Sequence, residues 1–184
     1  MSSPTPEETL AAWQAREAEL RARMHAPGVS RPEQFAGRTG TQIFEAMFSG
    51  ELPTAPIAHT LDYLLIEARH GHAEFQGRPQ FAHYNPLGTV HGGWIATLLD
   101  SAVACAVHST LAPGKAYTTL ELKVNYVKAL TERVPLVRAI GDVISVGNRV
   151  GTAEGRLVGP DGTLYAHATT TCLIFEMNGG GNGR

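Results

Sequence analysis

Residues 92–111 have the sequence GGWIATLLDSAVACAVHSTL, and they predict the element around which the chain folds. The run is apolar or small on nearly every side, a pattern typical of a helix enclosed by the rest of the protein. Ala112, Pro113 and Gly114 follow it and end the helix. Asp100 is the only carboxylate in the run. A buried carboxylate must be paired, hydrogen-bonded or protonated, so Asp100 is the first candidate functional residue.

Segments with strand character surround this helix. Two precede it, LDYLLIEARHG and HAEFQGRP, and they predict a hairpin around Gly71. Four follow it: AYTTLELKVNYV, VPLVRAIGDVISVG, RVGTAEGRLVGP and TLYAHATTTCLIF. In the first of these four, apolar and polar residues alternate, namely Leu120, Leu122, Val124 and Tyr126 with Thr119, Glu121, Lys123 and Asn125. One enclosed helix and half-buried antiparallel strands predict an α+β fold in which the sheet wraps around the helix.

The N-terminal part of the chain predicts two more helices. EETLAAWQAREAELRARM has acids in its first turns and arginines in its last, as the helix dipole favours, and we expect it to be a loose appendage. After a Pro/Gly-rich linker, TQIFEAMFSG predicts a helix that docks on the domain and ends at Gly50. We therefore expect a helical extension and linker at residues 1–38, the domain at 39–176, and a flexible Gly-rich tail at 177–184.

Composition excludes several classes of protein. A chain of 184 residues with 43% hydrophobic residues can bury one core. The net charge is −2, and no basic cluster interleaves with aromatics, so we expect no nucleic-acid partner. Without an apolar leader segment or a run of eighteen apolar residues, we expect a cytoplasmic protein with no membrane partner. Cys105 and Cys172 lack the paired spacing of a zinc or redox site, and we expect buried thiols.

A passage from loop to helix carries the candidate catalytic residues. They are Asn85, His91, Gly92, Gly93 and Asp100. Gly92 and Gly93 stand where the helix begins, so their N–H groups are unpaired beside the positive end of the helix dipole and can polarise a carbonyl. An ordinary turn and helix cap is an alternative explanation of the glycines. A hydrogen bond to Ser101, or a contact in a dimer interface, is an alternative explanation of Asp100.

The spacing of these residues suggests two subunits. Seven residues separate Gly93 from Asp100, which is roughly 10 Å along a helix that rises 1.5 Å per residue. One chain cannot easily bring both to one carbonyl. Two antiparallel copies of the helix would bring the amides of one N-terminus toward the aspartate of the other, as in a symmetric dimer.

The run N-P-x-G-T-V-H-G-G-x(6)-D from Asn85 to Asp100, followed by TTLELKVNY, resembles the PaaI-type acyl-CoA thioesterases of the hotdog fold. The similarity extends from about Thr39 to Phe175. It implies one helix wrapped by an antiparallel sheet, and a homodimer whose sheets join edge to edge, often paired again into a homotetramer. It also implies an acyl-CoA substrate. Thioester hydrolysis by a carboxylate and oxyanion donors requires no metal, and we expect neither a metal nor another cofactor.

The resemblance further implies a role for each residue of the motif. The carboxylate of Asp100 acts as general base or nucleophile, and an amide of Gly92 or Gly93 polarises the thioester carbonyl. Asn85 positions the carbonyl or a water molecule, and His91 orders the loop.

A hydroxyl on the following strand is implied as well, and Thr119 matches it by its spacing to Asn125 and Tyr126. Strict alternation leaves Thr118 open as the alternative, because Thr118 shares the apolar face with Leu120.

Thioester hydrolysis needs a carboxylate and hydrogen-bond donors of the kind that this motif supplies. A carboxylate that activates water contributes about 10²–10⁴-fold, and preorganised oxyanion donors contribute about 10²–10³-fold. Cations would hold the CoA phosphates, and the candidates are Arg149 first, with Lys123, Lys128 and Arg156 behind it.

Two alternative functions remain at this point. One is an acyl-CoA-binding or regulatory module of the same fold without catalysis. The other is a hydratase or dehydratase, although its D-x(4)-H or H-F-P-G motif is absent from the sequence. A serine triad lacks its G-x-S-x-G elbow, and the histidines lack metal-ligand spacing.

Overall fold

The computed structural model describes residues 3–23 and 26–177, so the predicted tail lies outside the described residues apart from Met177. The helices are α1 (Pro6–Arg23), α2 (Pro32–Phe35), α3 (Gly40–Phe48), α4 (Pro56–Thr60) and α5 (Gly92–His108). The strands are β1 (Tyr63–Arg69), β2 (His72–Gly77), β3 (Lys115–Tyr126), β4 (Val137–Val146), β5 (Val150–Val158) and β6 (Leu164–Glu176). None of the helices in this part of the chain is long and apolar enough to cross a membrane.

The six strands form one antiparallel sheet in the order β1-β2-β4-β5-β6-β3. Helix α5 packs against this sheet, and its inward side chains are fully buried: Leu98, Leu99, Ala102, Val103, Ala106 and Val107. The predicted α+β arrangement of a sheet around one helix is confirmed. Strands β1 and β3 are the two edges of the sheet, and β3 is the longer of them.

A glycine lets the helix lie close to the middle of the sheet. A Cβ atom at Gly141 of β4 would stand 2.4 Å from the carbonyl oxygen of Ala102 in α5. No side chain fits at that distance, so the approach of the helix to β4 depends on glycine at this position.

Strand β3 departs from the predicted alternation. Its register with β6 shifts between Thr119 and Glu121, so Leu120 is an extra residue in a bulge. The side chain of Leu120 is 61% exposed, although simple alternation assigns it to the apolar face. Because the bulge resets the alternation, Thr119 faces α5 on the same side of the sheet as Leu122.

Helix α1 is packed on the domain, so the expectation of a loose appendage is wrong. Leu20 is 1% exposed and packs against Leu64 and Ile66 of β1. Glu17 is also buried, and its carboxylate accepts a hydrogen bond of 2.8 Å from the Gln76 side chain of β2. The hydrogen bond from Gln76 allows the charged side chain of Glu17 to be buried. Helical periodicity does not reveal such a partner on a distant strand.

The other predicted elements are close to the observed ones. The hairpin turns at Gly71, which has a φ of +77°, and α3 docks through buried Ile43 and Phe44. The short helix α4 was not predicted, because its proline-rich sequence is typical of a loop.

Candidate active site

The N-terminus of α5 offers one free amide and not two. His91 is the N-cap residue, and its Nδ1 accepts a hydrogen bond of 2.9 Å from the Gly93 backbone N–H. No acceptor in the described part of the chain pairs with the N–H of Gly92. Of the two predicted donors, Gly93 is thus occupied within its own chain, and Gly92 is available to a carbonyl oxygen.

The Gly92 N–H points out of the helix. The carbonyl of His91, which shares a peptide plane with this N–H, accepts a hydrogen bond of 3.0 Å from the Trp94 backbone N–H. In a trans peptide the C=O and N–H point in opposite directions, so the Gly92 N–H is directed away from α5. The His91 N–H in turn donates to the carbonyl of His83 at 2.7 Å, which fixes the chain just before the helix.

A cleft of about 310 Å³ opens beside this amide. Its lining consists of Thr89, Val90, Gly92, Ile95 and residues 126–130. The Tyr126 hydroxyl donates a hydrogen bond of 3.0 Å to the Gly92 carbonyl. The sequence predicts no site role for Tyr126, which belongs there to an apolar face and to the motif TTLELKVNY. No local pattern reports this contact, because 34 residues separate its two partners.

Asp100 lies farther along α5 and is half-buried. Thr119 of β3 donates its hydroxyl to Asp100 Oδ1 at 3.1 Å. Thr118, which pairs with Leu173 on β6, is exposed. The hydroxyl that reaches Asp100 is therefore that of Thr119, and the bulge at Leu120 is compatible with this orientation.

Neither cysteine near Asp100 is suited to be a nucleophile. Burial raises the pKa of the Cys105 thiol to about 12, and burial also raises the pKa of Cys172. Because the thiolate is the reactive form of cysteine, both side chains stay neutral and inert near pH 7. Asp100 is therefore the candidate reactive group on this face of α5.

The side chain of Asn85 is engaged within its own loop. Its Oδ1 accepts hydrogen bonds from the backbone N–H groups of Leu87 at 2.9 Å and Thr89 at 3.3 Å. Its Nδ2 donates to Thr89 Oγ1 at 2.9 Å. An amide nitrogen has two hydrogens, so one N–H of Asn85 remains for a further acceptor.

The candidate cations lie in different places. Lys123 is exposed on β3, and Arg149 is exposed in the turn before β5. Neither lines the cleft at Gly92, whereas Lys128 does. The sequence predicts Arg149 ahead of Lys128 as the cation for the CoA phosphates. It could not favour Lys128, because only the folded chain reveals which cation lies in the same cleft as the N-terminus of α5.

The two halves of the candidate site are apart within one chain. Eight residues of α5 separate Gly92 from Asp100, or about 12 Å at 1.5 Å per residue. The carboxylate and the free amide of one chain are therefore not adjacent along the helix.

Comparison with known proteins gives the family of this chain. A family model described as the thioesterase superfamily matches residues 87–166, which include both Gly92 and Asp100. A protein of Archaeoglobus fulgidus that carries an esterase name is 33% identical over 118 residues, which cover 64% of this chain and 73% of that protein. The chain belongs to the thioesterase superfamily.

Solved structures extend the likeness of this thioesterase beyond residues 87–166. A phenylacetic acid degradation-related protein of Ralstonia eutropha JMP134 superposes with a TM-score of 0.65 and 31% identity, covering 71% of this chain and 98% of that one. A mutant of the phenylacetic acid degradation protein PaaI of Thermus thermophilus gives a TM-score of 0.58 and 26% identity, covering 64% and 97%. The resemblance to PaaI-type proteins and the hotdog fold are confirmed, and the chain is a thioester hydrolase in the general sense.

Proposed function

We propose that this thioesterase hydrolyses acyl-CoA thioesters at a site shared between two subunits. Asp100 of one subunit acts on a carbonyl that is polarised by the partner subunit's Gly92. The observation that carries the proposal is the hydrogen bond from Thr119 to Asp100 at 3.1 Å. It holds a half-buried carboxylate on the open side of a helix that is otherwise packed against the sheet.

The proposed reaction uses water as the second reactant. In the general-base route, Asp100 takes a proton from water while the water oxygen bonds to the carbonyl carbon. The Gly92 N–H stabilises the resulting oxyanion. The C–S bond then breaks, its electron pair leaves with sulfur, and the proton passes from Asp100 to the CoA thiolate. In the nucleophilic route, Asp100 attacks the carbonyl carbon, the C–S bond breaks, and CoA leaves as a thiolate from the resulting mixed anhydride. Water then hydrolyses the anhydride to the free acid and the Asp100 carboxylate, and the proton released goes to the CoA thiolate.

The edge strand β3 supports assembly into a dimer. It is 12 residues long, and Leu120 is 61%, Tyr126 55% and Val127 56% exposed along or just beyond it. Long edges with exposed apolar residues are normally covered in natural proteins, since their unpaired backbone groups bind other strands. We propose that β3 pairs with the partner's β3 about a two-fold axis, which sets the two α5 helices antiparallel. Two such dimers would form the tetramer.

The remaining motif residues are proposed to support the same reaction. His91 holds the start of α5 through its bond to Gly93. Asn85 orders the loop that leads to His91, and its second N–H is proposed to bind the carbonyl or the attacking water. Arg149, Lys123 and Lys128 are the candidates to bind the CoA phosphates.

The decisive experiment measures release of free thiol from a panel of acyl-CoAs by wild type and Asp100→Asn. The substitution keeps size and shape but removes the base. We expect kcat to fall by at least about 10²-fold, the lower end of a general-base contribution, while CoA binding is retained. Asp142→Asn, which changes a carboxylate that pairs with His72, is the matched control and should keep its turnover.

Three outcomes would contradict parts of the proposal. Unchanged turnover by Asp100→Asn would remove this residue from the mechanism. Binding of acyl-CoA without turnover by the wild type would favour the non-catalytic module. Hydrolysis of other thioesters but of no acyl-CoA would leave the family activity intact and refute the substrate class.

A further inference from the structure

We propose that Tyr126 is a positioning residue that holds the oxyanion donor of this thioesterase in place. The proposal rests on the proposed function in one respect, namely that the Gly92 N–H is the donor. Tyr126 lies at the end of β3, and its phenol reaches across to the first residue of α5.

The contact is both polar and steric. The Tyr126 hydroxyl donates to the Gly92 carbonyl at 3.0 Å. A Cβ atom at Gly92 would stand 3.0 Å from Tyr126 Cζ, so the ring is packed directly on the glycine. A phenol has a single hydrogen to donate, and here it is directed at the Gly92 carbonyl. Tyr126 therefore acts through Gly92 and not on the substrate oxygen itself.

Gly92 needs such support because glycine has unusually free backbone dihedrals. The peptide before it is held by the hydrogen bond from the Trp94 N–H to the His91 carbonyl. The peptide after it is held on one side by the bond from the Gly93 N–H to His91 Nδ1. Tyr126 holds the carbonyl side of that same peptide. With both flanking planes fixed, the direction of the Gly92 N–H is fixed before substrate arrives, as electrostatic catalysis requires.

The position of Tyr126 also links the two halves of the site. Thr119, which binds Asp100, and Tyr126, which binds Gly92, both belong to β3. Tyr126 is 55% exposed in the single chain. Pairing of this edge with a second β3 would restrict the tyrosine, so dimer formation would order the donor as well as supply the opposite carboxylate.

The kinetic experiment compares Tyr126→Phe with wild type on the best thioester substrate. Complete removal of an oxyanion donor costs about 10²–10³-fold in kcat. Loosening the donor without removing it should cost less, on the order of tenfold in kcat, with KM unchanged within about twofold. Tyr84→Phe is the matched control, because the Tyr84 hydroxyl also bonds to the backbone, accepting from the Glu132 N–H at 2.8 Å, but forms no hydrogen bond with Gly92.

A second measurement does not depend on activity. In protein labelled with ¹⁵N-glycine, hydrogen exchange of the Gly93 amide should accelerate in Tyr126→Phe and stay unchanged in Tyr84→Phe. A lower kcat with unchanged Gly93 exchange would refute action through the Gly92 peptide. Faster exchange with full kcat would refute a role in catalysis, and a rise in KM alone would make Tyr126 a substrate contact. If wild type hydrolyses no acyl-CoA, the proposed substrate is wrong. The exchange measurement still decides whether Tyr126 holds the peptide between Gly92 and Gly93.

Discussion

Replacing Gly92 by proline should remove the oxyanion donor and leave the start of α5 in place. Gly92 is the first residue of the helix, where an N–H has no partner within the helix and proline is well accepted. The preceding residue, His91, already has φ −62° and ψ 135°. This is the extended conformation that a residue before proline adopts. The backbone therefore tolerates the change, and the missing N–H is its main chemical consequence.

The magnitude follows from comparison with Gly92→Ala. Both variants place a Cβ atom 3.0 Å from Tyr126 Cζ, so both push the half-exposed tyrosine by a few tenths of an ångström. Only proline deletes the N–H. We expect kcat of Gly92→Pro to lie about 10²–10³-fold below that of Gly92→Ala, the usual cost of one lost oxyanion donor. Expressed as transition-state stabilisation, this loss is about 2.7–4 kcal/mol.

The assay is release of CoA thiol at saturating substrate, with circular dichroism to verify that both variants fold. Equal kcat values for the two variants would refute Gly92 as the donor. Gly92→Pro mixed one to one with Asp100→Asn tests the shared site. If subunits exchange freely, half of the dimers are mixed and each holds one intact site, so about a quarter of wild-type activity should return. No gain on mixing would refute a site built from two chains.

Two further predictions concern stability. Gly141→Ala would set a Cβ atom 2.4 Å from the Ala102 carbonyl oxygen. Denaturant unfolding should therefore reveal a decrease of about 1–3 kcal/mol in the free energy of unfolding. In the control Gly147→Ala, the nearest atom to the new Cβ would be 3.7 Å away, so the free energy of unfolding should be nearly unchanged. Burial lowers the pKa of His108 from 6.5 to about 4, so the unfolded chain takes up this proton first as the pH falls. The stability that neutral His108 contributes above pH 6.5 should be lost between pH 6.5 and about 4, by up to about 3 kcal/mol, and His108→Gln should flatten this part of the stability curve. A parallel decline in both proteins would contradict the assignment to His108.

The main helix, the six strands and the candidate motif residues could be predicted from the sequence alone. Helix α5 follows from an apolar run of the right length, and the β1–β2 hairpin follows from Gly71 between two strand-like segments. Asp100 could be selected because an acid inside such a run demands a partner. These conclusions depend on periodicity and residue type, which are local properties of the chain.

The folded chain shows which groups contact one another. The choice of Gly92 over Gly93 depends on the imidazole of His91, which folds back onto one amide. The choice of Thr119 over Thr118 depends on the register of β3 with β6, which includes a bulge that alternation does not predict.

The docking of α1 and the contact of Tyr126 with Gly92 join residues that lie far apart in the chain. The burial of Glu17 has no signal in the sequence of α1, because helical periodicity does not register a distant amide such as Gln76. Each of these results depends on long-range hydrogen bonds and packing. The residues in these contacts become neighbours only when the chain folds, so local sequence patterns do not predict them.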